Sequence, residues 1–349
     1  MRSTVALVRG PDLDKLVEQS LTLLDLKSRL KPSMKVLIKP NLVRVPPDVP
    51  VKITPTLKEP APFGLHANRG IAWMRTVAPE GDITRRETLE ALLAYLKGLG
   101  VGNLTIAEAS GGWDTELAYK SLGFYDLAEK YGAKLVDLNW AEATKIPVPN
   151  GRALKEFWAP NVVLESDFRI NLTTLKVHGI SAVTLCLKNW GVGIPPGQYY
   201  GFNKSANRIL GRLGFGAFPI HHHFDDEEIY GQGVGTAKAI ADVCSAVPYE
   251  LGIIDGLTTV HRAELAPKSG MKVERSNLML ASYDMVAADS VGTRVMGLDP
   301  RRIFHIYLAE EKGLGTLDLD KIEVLGARIE DVEMRCNPEY SQRGTMLPP

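Results

Sequence analysis

Short apolar runs alternate with amphipathic stretches along most of the chain. Runs such as VALV and KVLI have the length and composition of buried strands, whereas the stretches around 13–30 and 85–98 repeat apolar residues at helical spacing. Consecutive parallel strands need a crossover connection, and a helix between two strands provides it. The pattern therefore predicts an α/β fold with a mainly parallel sheet flanked by helices.

The same alternation continues to the end of the chain. Thr84 and Glu87 have the spacing of a capping box at the start of the helix over 85–98, and Asp284 has the position of an N-cap. Asp289 has small neighbours, so it can approach a ligand or another helix. The other predicted helices lie around 115–131, 181–190, 236–247, 285–296 and 302–312, and the other strand-like runs are NLTIAEAS, KLVDLN, DFRINL, ELGIIDG, NLMLASY and KIEVLG.

Two long segments interrupt the pattern. One, over about 43–70, is rich in proline, and the other, over about 191–232, is rich in glycine and aromatic residues. Loops of this length are uncommon inside a compact domain and are often lids or binding loops, although surface excursions would have the same composition. The domain boundaries that we consider are one domain over 1–349, or two lobes around a cleft over 1–150 and 151–330 with a tail over 331–349.

Charge and composition narrow the class of partner. The chain has 41 basic and 41 acidic residues and no basic cluster, so we expect a small-molecule partner and no nucleic acid. It begins without an apolar run of signal-peptide length and has no stretch of about 18 consecutive apolar residues, so we expect a cytoplasmic protein without a membrane span. Cys186, Cys244 and Cys336 are far apart, which predicts neither disulfides nor an iron–sulfur cluster.

Polar residues follow several of the predicted strands. Ligands of an open parallel sheet bind beyond the carboxyl ends of its strands, so a polar residue at such a position is a candidate ligand contact. Each of them could also start a turn or cap a loop. The candidates are Lys39 and Asn41 after KVLI, Glu108 after NLTIA, Asp137 and Asn139 after KLV, Lys176 and His178 after INLTTL, and Asp255 after LGII.

The segment from Ile170 to Gly197 combines several of these signals. Strand-like residues lead to His178, a short helix follows, and Lys188 and Asn189 are predicted in its last turn. The unpaired N–H groups in the first turn of that helix suit a carboxylate or phosphate of a ligand. Lys188 also has a purely structural interpretation, since a lysine in the last turn complements the helix dipole.

Four motifs carry a resemblance to a known family. They are IKPNLV (38–43), INLTTLKVHGISAVTLCLKNWGVG (170–193), IIDGL (253–257) and ASYDMVAADSVGTRVMGLDP (281–300). In this order they resemble the signatures of the domain-of-unknown-function family 362, a resemblance that implies little about activity. Many members of that family carry ferredoxin-like cysteine clusters. This chain has none, so the resemblance implies a separate redox partner.

A weaker similarity points to metal-assisted chemistry. KVHG, followed by a lysine-bearing helix and GVGIPPG, is similar to the lactate racemase family, whose members use histidines and lysines around a nickel-bearing nicotinic acid derivative. This similarity implies chemistry on a small organic acid and does not establish the cofactor.

Three of the seven histidines, His221, His222 and His223, are consecutive. In an extended segment the first and third share a face, and in a helix the three point about 100° apart, so at most two can bind one metal ion. A site would need a further ligand such as His178 or Asp255. Two histidines and a carboxylate suit non-haem iron or another divalent ion such as nickel. A histidine-rich substrate loop and a solvated turn are the alternatives.

These observations favour a metal-assisted enzyme that acts on a small anionic metabolite at the strand ends. The alternatives are a non-catalytic protein that binds or delivers a metal or cofactor, and a nucleotide-dependent oxidoreductase. The last is disfavoured because GxGxxG and GxxxxGK[ST] motifs are absent from the sequence. In the favoured hypothesis the catalytic residues are Lys188, His178 and Asp255, the substrate contacts are Lys39, Asn41, Asn189 and Glu108, and the metal ligands come from His221, His222 and His223.

Overall fold

The computed structural model describes residues 2–42, 81–110, 115–178, 181–200, 234–261 and 272–336. The proline-rich segment over 43–70, most of the segment over 191–232, and the histidine triplet lie outside the described residues. The predicted division into two lobes stays a prediction.

One large sheet forms the centre of the molecule. Its strands follow the order β11-β1-β10-β9-β7-β2-β3-β4, β8 pairs with the end of β7, and β5 and β6 form a separate hairpin. The strands are β1 (Ser3–Arg9), β2 (Lys35–Lys39), β3 (Asn103–Glu108), β4 (Ala133–Asp137), β5 (Ala143–Pro147), β6 (Glu156–Pro160), β7 (Phe168–His178), β8 (Ala182–Val183), β9 (Leu251–Val260), β10 (Val273–Ser282) and β11 (Ile322–Gly326).

The pairing confirms the predicted mainly parallel α/β fold. Five neighbouring strands are parallel to one another, in the order β9, β7, β2, β3 and β4. Strand β11 is parallel to β1, whereas β10 is antiparallel to both of its neighbours, β1 and β9. Every residue of β9 is buried, which explains its near-continuous apolar run, because helices cover both faces of such a sheet.

Helices form a layer on each face of the sheet. The helices are α1 (Leu13–Leu23), α2 (Leu26–Arg29), α3 (Arg86–Gly98), α4 (Thr115–Ser121), α5 (Phe124–Tyr131), α6 (Asn161–Leu164), α7 (Leu185–Gly193), α8 (Gly197–Tyr200), α9 (Val234–Ala246), α10 (Met285–Val295) and α11 (Phe304–Glu311). Leu16 of α1 and Leu92 of α3 belong to the core on one face. Leu187 of α7, Ile240 of α9 and Val291 of α10 belong to the core on the other. In the described part of the chain, none of the helices is long and apolar enough to cross a membrane.

The two predicted helix caps have different outcomes. Asp284 caps α10 as predicted, since its carboxylate accepts hydrogen bonds from the backbone N–H groups of Val286 and Ala287. The capping box at Thr84 is wrong. The Thr84 hydroxyl donates to the carbonyl of Leu172 and accepts from the N–H of Asn41, so it joins the chain before α3 to β2 and β7 instead of capping the helix.

Candidate functional site

The carboxyl ends of β2, β3 and β7 meet at one edge of the sheet. Lys39 is the last residue of β2 and lies opposite Asn171 of β7, and Glu108 is the last residue of β3. A set of buried polar side chains occupies this edge. We call it the strand-end network; its members are Lys39, Asn41, Asp82, Glu108, Asn171, Lys176 and Asn189.

Lys39 forms a buried ion pair with Glu108. Its Nζ atom lies 2.8 Å from Glu108 Oε1, and it also donates to Asn189 Oδ1 at 3.0 Å and to the carbonyl of Pro40 at 2.8 Å. The side chain is fully buried. Burial lowers the pKa of Lys39, and the charge of Glu108 opposes that shift. Lys39 is therefore a cation whose proton is easier to remove than that of an ordinary lysine.

Glu108 is held in place by backbone groups as well as by Lys39. Its Oε1 atom accepts from the N–H of Ala109, and its Oε2 atom accepts from the N–H of Leu42, both at 2.8 Å. Both carboxylate oxygens are therefore satisfied, so Glu108 is a rigid partner that fixes the position of the Lys39 ammonium.

Asn189 of α7 connects the helix to the strand ends. Its Oδ1 atom accepts from both Lys39 and Asn41 Nδ2, the latter at 2.8 Å, while its Nδ2 atom donates to Asn171 Oδ1 at 2.7 Å. Asn171 in turn donates to the carbonyl of Cys186. These partners fix the orientation of the Asn189 side-chain amide, because Oδ1 must face the two donors and Nδ2 must face the oxygen of Asn171.

Lys176 of β7 forms the second buried ion pair of the network. Its Nζ atom donates to Asp82, at 2.6 Å to the backbone carbonyl and 3.2 Å to Oδ1, and to Asn41 Oδ1 at 3.3 Å. Both partners of the pair are fully buried. Asn41 therefore lies between the two ion pairs and links them into one network.

Helix α7 packs closely on this network. A methyl group added to Gly193 would overlap the end of the Lys39 side chain, so the glycine lets the last turn of the helix approach the ammonium without displacing it. The helix begins four residues later and ends three residues later than predicted, and Lys188 and Asn189 lie in its middle. The last-turn interpretation of Lys188 is therefore wrong: the helix dipole at a C-terminus does not explain this lysine.

The N-terminus of α7 is already occupied by an acidic side chain of the protein itself. The N–H groups of Cys186 and Leu187 donate to the two side-chain oxygens of Asp289 on α10 at 2.8 and 2.9 Å. Burial raises the pKa of Asp289 to about 8, and the two N–H groups oppose the shift. The expectation that these N–H groups would bind a ligand is wrong, whereas the predicted approach of Asp289 to another helix is confirmed.

A second cluster contains His178, Lys188 and His305. His178 is the last residue of β7, two residues beyond Lys176. Its Nδ1 atom accepts from the N–H of Ser181 at 3.2 Å. Burial lowers the pKa of His305 on α11 to about 3, and the charges of His178 and Lys188 lower it further. The three side chains are therefore close enough to interact electrostatically.

Asp255 lies inside β9 and not after it, because the strand continues to Val260. The Thr88 hydroxyl donates to its Oδ2 atom at 2.5 Å, and the N–H of Leu257 donates to its Oδ1 atom at 2.9 Å. Burial raises the pKa of Asp255, and these bonds oppose the shift. The Asp255 side chain thus faces α3. Its hydrogen bond with Thr88 connects β9 to the first turn of α3, and Asp82 of the network lies just before that helix.

The sequence of the chain matches one family model, described as Domain of unknown function (DUF362), over residues 73–294. The match covers more than half of the chain. The chain belongs to this family. Most of the strand-end network lies within the DUF362 match, whereas Lys39, Asn41 and His305 lie outside it. No curated protein matches the chain. The weaker similarity to lactate racemases stays a prediction.

The structure brings together most of the predicted site residues of this DUF362 member. Lys39 contacts Glu108 and Asn189 directly, and Asn189 contacts Asn41. His178 ends β7, the strand that carries Lys176 of the network. Lys188 precedes Asn189 of the network on α7. His221, His222 and His223 fall outside the described residues. Within the described ranges, no three His, Cys, Asp or Glu side chains converge as a metal site would require.

Three participants were missing from the sequence-based set. Asn171 has a readable signal, because it is a polar residue between the apolar residues Ile170 and Leu172 of β7. Asp82 and His305 have none: Asp82 lies shortly before α3, and His305 is the second residue of α11. Only their positions in space relate them to Lys176 and Lys188.

Proposed function

We propose that the protein is an enzyme that binds a small anionic metabolite at the carboxyl ends of β2, β3 and β7 and acts on it by proton transfer, with a divalent metal ion assisting. One observation carries the proposal. Two fully buried lysines, Lys39 and Lys176, are paired with carboxylates and joined by asparagine side chains at the edge where ligands of parallel sheets bind.

Stability alone is a poor reason for such a network. Removing two charges from water costs several kcal/mol per ion, and apolar side chains of similar volume are often equally or more stabilising. Groups with perturbed pKa values also concentrate at functional sites. Two such pairs side by side therefore favour a chemical role over a structural one.

The charges favour an anionic ligand. Lys39, Lys176 and Lys188 are three buried lysines at or beside this edge of the sheet. Their ammonium groups would attract a carboxylate or phosphate of the ligand. In this arrangement Lys176, Asn41 and Asn189 hold the ligand.

Lys39 is the candidate proton-transfer group. A lysine acts as a general acid or base near neutral pH only when its pKa is lowered, and burial lowers the pKa of Lys39. Glu108 opposes that shift and keeps the ammonium in place. Metal assistance would depend on the histidine triplet together with residues such as His178, and it is tested separately by metal content.

Deuterium incorporation tests the proton-transfer step. The protein is incubated in D₂O with a panel of small hydroxy, keto and dicarboxylic acids, with and without Fe(II), Ni(II) and oxygen, and exchange at the carbon next to the carboxylate is followed by NMR. General acid–base groups contribute about 100-fold or more, so Lys39→Met should reduce exchange by at least that factor. The control Lys130→Met removes an exposed lysine that pairs with Glu90 and should leave exchange unchanged.

The double variant Lys39→Met/Glu108→Gln separates function from folding, because it removes both charges of the pair. If it is folded and still exchanges at the wild-type rate, the proposed role of Lys39 is wrong. Ligand binding that needs Lys39, combined with no conversion of any acid under any of these conditions, would instead support the binding and delivery alternative.

A further inference from the structure

Helix α7 begins in a backbone conformation that its sequence does not favour. Leu185, the first residue of the helix, has a φ of 40°, in the left-handed region that residues with a side chain rarely adopt. Thr184 occupies the N-cap position, but its side chain does not cap the helix. Strained backbone of this kind persists only where the surrounding structure enforces it, and it is concentrated at functional sites.

Strand β7 fixes the carbonyl groups in the first turn of α7. The Thr173 hydroxyl donates to the carbonyl of Leu185 at 3.1 Å, and the Asn171 side-chain amide donates to the carbonyl of Cys186 at 2.7 Å. Both donors are fully buried. The sheet therefore holds one side of the first turn, and the N–H groups on the other side need a second partner.

Asp289 on α10 is that partner. It lies 103 positions from Cys186 in sequence and is fully buried, and its two side-chain oxygens accept from the N–H groups of Cys186 and Leu187. A serine or threonine at the N-cap can satisfy such N–H groups locally, without the cost of burying an acidic side chain. A buried side chain from another helix does what a local cap cannot do, because it also fixes α7 relative to α10.

The position of α7 matters because the helix contacts Lys39 at two places. Asn189, less than one turn beyond Leu187, accepts from Lys39 Nζ at 3.0 Å, and Gly193 lies against the end of the Lys39 side chain. Closely packed interiors transmit strain, so a displacement of the first turn would move both contacts.

We propose that Asp289 is a positioning residue of the strand-end network: by holding the first turn of α7, it determines where Asn189 and Gly193 meet Lys39. The ammonium is thereby kept in the place from which it transfers a proton. This inference rests on the proposed function, because it concerns the residue to which that function assigns proton transfer. Asp289 acts through α7 and is not itself a catalytic residue.

NMR of Lys39 tests this role without a substrate. The protein is labelled with ¹³C at lysine Cε, and the resonance that is missing from Lys39→Met is that of Lys39. Asp289→Leu removes both acceptors, so Asn189 should no longer accept from the ammonium in its wild-type position. A hydrogen bond to the ammonium favours its charged form, so we expect the Lys39 resonance to move and its titration midpoint to fall by about one pH unit. Deuterium exchange should slow by about tenfold or more, because misplaced catalytic groups act less efficiently.

Asp289→Asn separates positioning from folding. Burial raises the pKa of Asp289 to about 8, so the acid and the amide are both mainly neutral at pH 7. Asparagine keeps one acceptor and turns an amide group towards the other N–H, so it should shift Lys39 in the same direction as Asp289→Leu, but less. Asp242→Asn is the matched control: Asp242 on α9 is also fully buried and accepts from the backbone N–H groups of residues 152–154, a different turn, so Lys39 should be unchanged.

The positioning role is refuted if folded Asp289→Leu, or Asp289→Asn where the leucine variant does not fold, has the Lys39 resonance and midpoint of the wild type. An equal shift in Asp242→Asn would also refute it, because Lys39 would then report only a loss of stability. These results differ from a failure of the proposed function. An unchanged Lys39 resonance in the Asp289 variants, together with lost exchange in Lys39→Met, removes only the positioning role. A shifted Lys39 resonance, with normal exchange in Lys39→Met, removes only the catalytic role of Lys39.

Discussion

The ion pair between Lys39 and Glu108 makes a quantitative prediction about stability. Lys39→Met removes the ammonium and leaves Glu108, whose side chain is 3% exposed, with only its two backbone N–H donors. Breaking a buried pair by removing one partner costs about 3–5 kcal/mol, because the remaining charge is uncompensated. Glu108→Gln should cost about 3–5 kcal/mol for the same reason.

The double variant Lys39→Met/Glu108→Gln should be far less destabilised than the sum of the two single variants. Both charges are then gone, and the main remaining loss is the pair of hydrogen bonds from Lys39 to Asn189 and the Pro40 carbonyl, about 1 kcal/mol each. The cycle therefore predicts a free energy of interaction between positions 39 and 108 of about 3 kcal/mol or more.

Urea denaturation followed by circular dichroism and tryptophan fluorescence measures all four proteins. The exposed pair of Lys130 and Glu90, with nitrogen and oxygen 2.6 Å apart, is the control cycle and should give an interaction of only about 0.2–1 kcal/mol. If the 39/108 cycle also gives less than about 1 kcal/mol, the buried ammonium is not compensated mainly by Glu108. The electrostatic account of the network would then be wrong.

Three further predictions concern single positions. Burial lowers the pKa of His305 to about 3 in the folded state, so the unfolded chain binds more protons between about pH 3 and 6.5. The free energy of unfolding should therefore rise as the pH is raised through that window, by up to about 1.4 kcal/mol per pH unit, and His305→Phe should remove this part of the slope in a urea series. Gly193→Ala should displace Lys39, because the added methyl group would overlap the ammonium. Ligand binding should therefore weaken markedly more than in the control Gly98→Ala, where an added methyl group meets nothing within 4 Å. Equal binding by the two variants would contradict the close packing of Gly193 on Lys39. Single alanine variants of the histidine triplet should differ in metal content after anaerobic purification without a histidine tag, with at least one of them keeping the wild-type amount; wild-type content in all three would exclude the triplet as a metal site.

The sequence determined the fold class and indicated where the strand-end network lies. A parallel strand covered on both faces is mostly apolar, so runs such as KVLI and LGII are readable as strands without knowledge of their neighbours. Lys39 and Glu108 follow from the same logic, since each is the polar residue that ends such a run. The carboxyl ends of parallel strands share one edge, so these residues had to be near each other.

Local pattern failed where a side chain has a long-range partner. Thr84 has the spacing of a cap, but its hydroxyl bonds to the carbonyl of Leu172. Lys188 was placed in a last turn because glycine at 191 suggested an early helix end, yet the helix continues to Gly193, whose missing side chain makes room for Lys39. In both cases a tertiary contact outweighed a local preference of about 1 kcal/mol.

Only the tertiary structure decided which polar residues work together. Lys176 and Asp82 are 94 positions apart in sequence and form a fully buried pair, and His305 lies 117 positions beyond Lys188 on an unremarkable helix. The protonation of these groups depends on burial and on charges contributed by other elements. A one-dimensional pattern contains neither quantity, because both arise only when the strands align and the helices close over their ends.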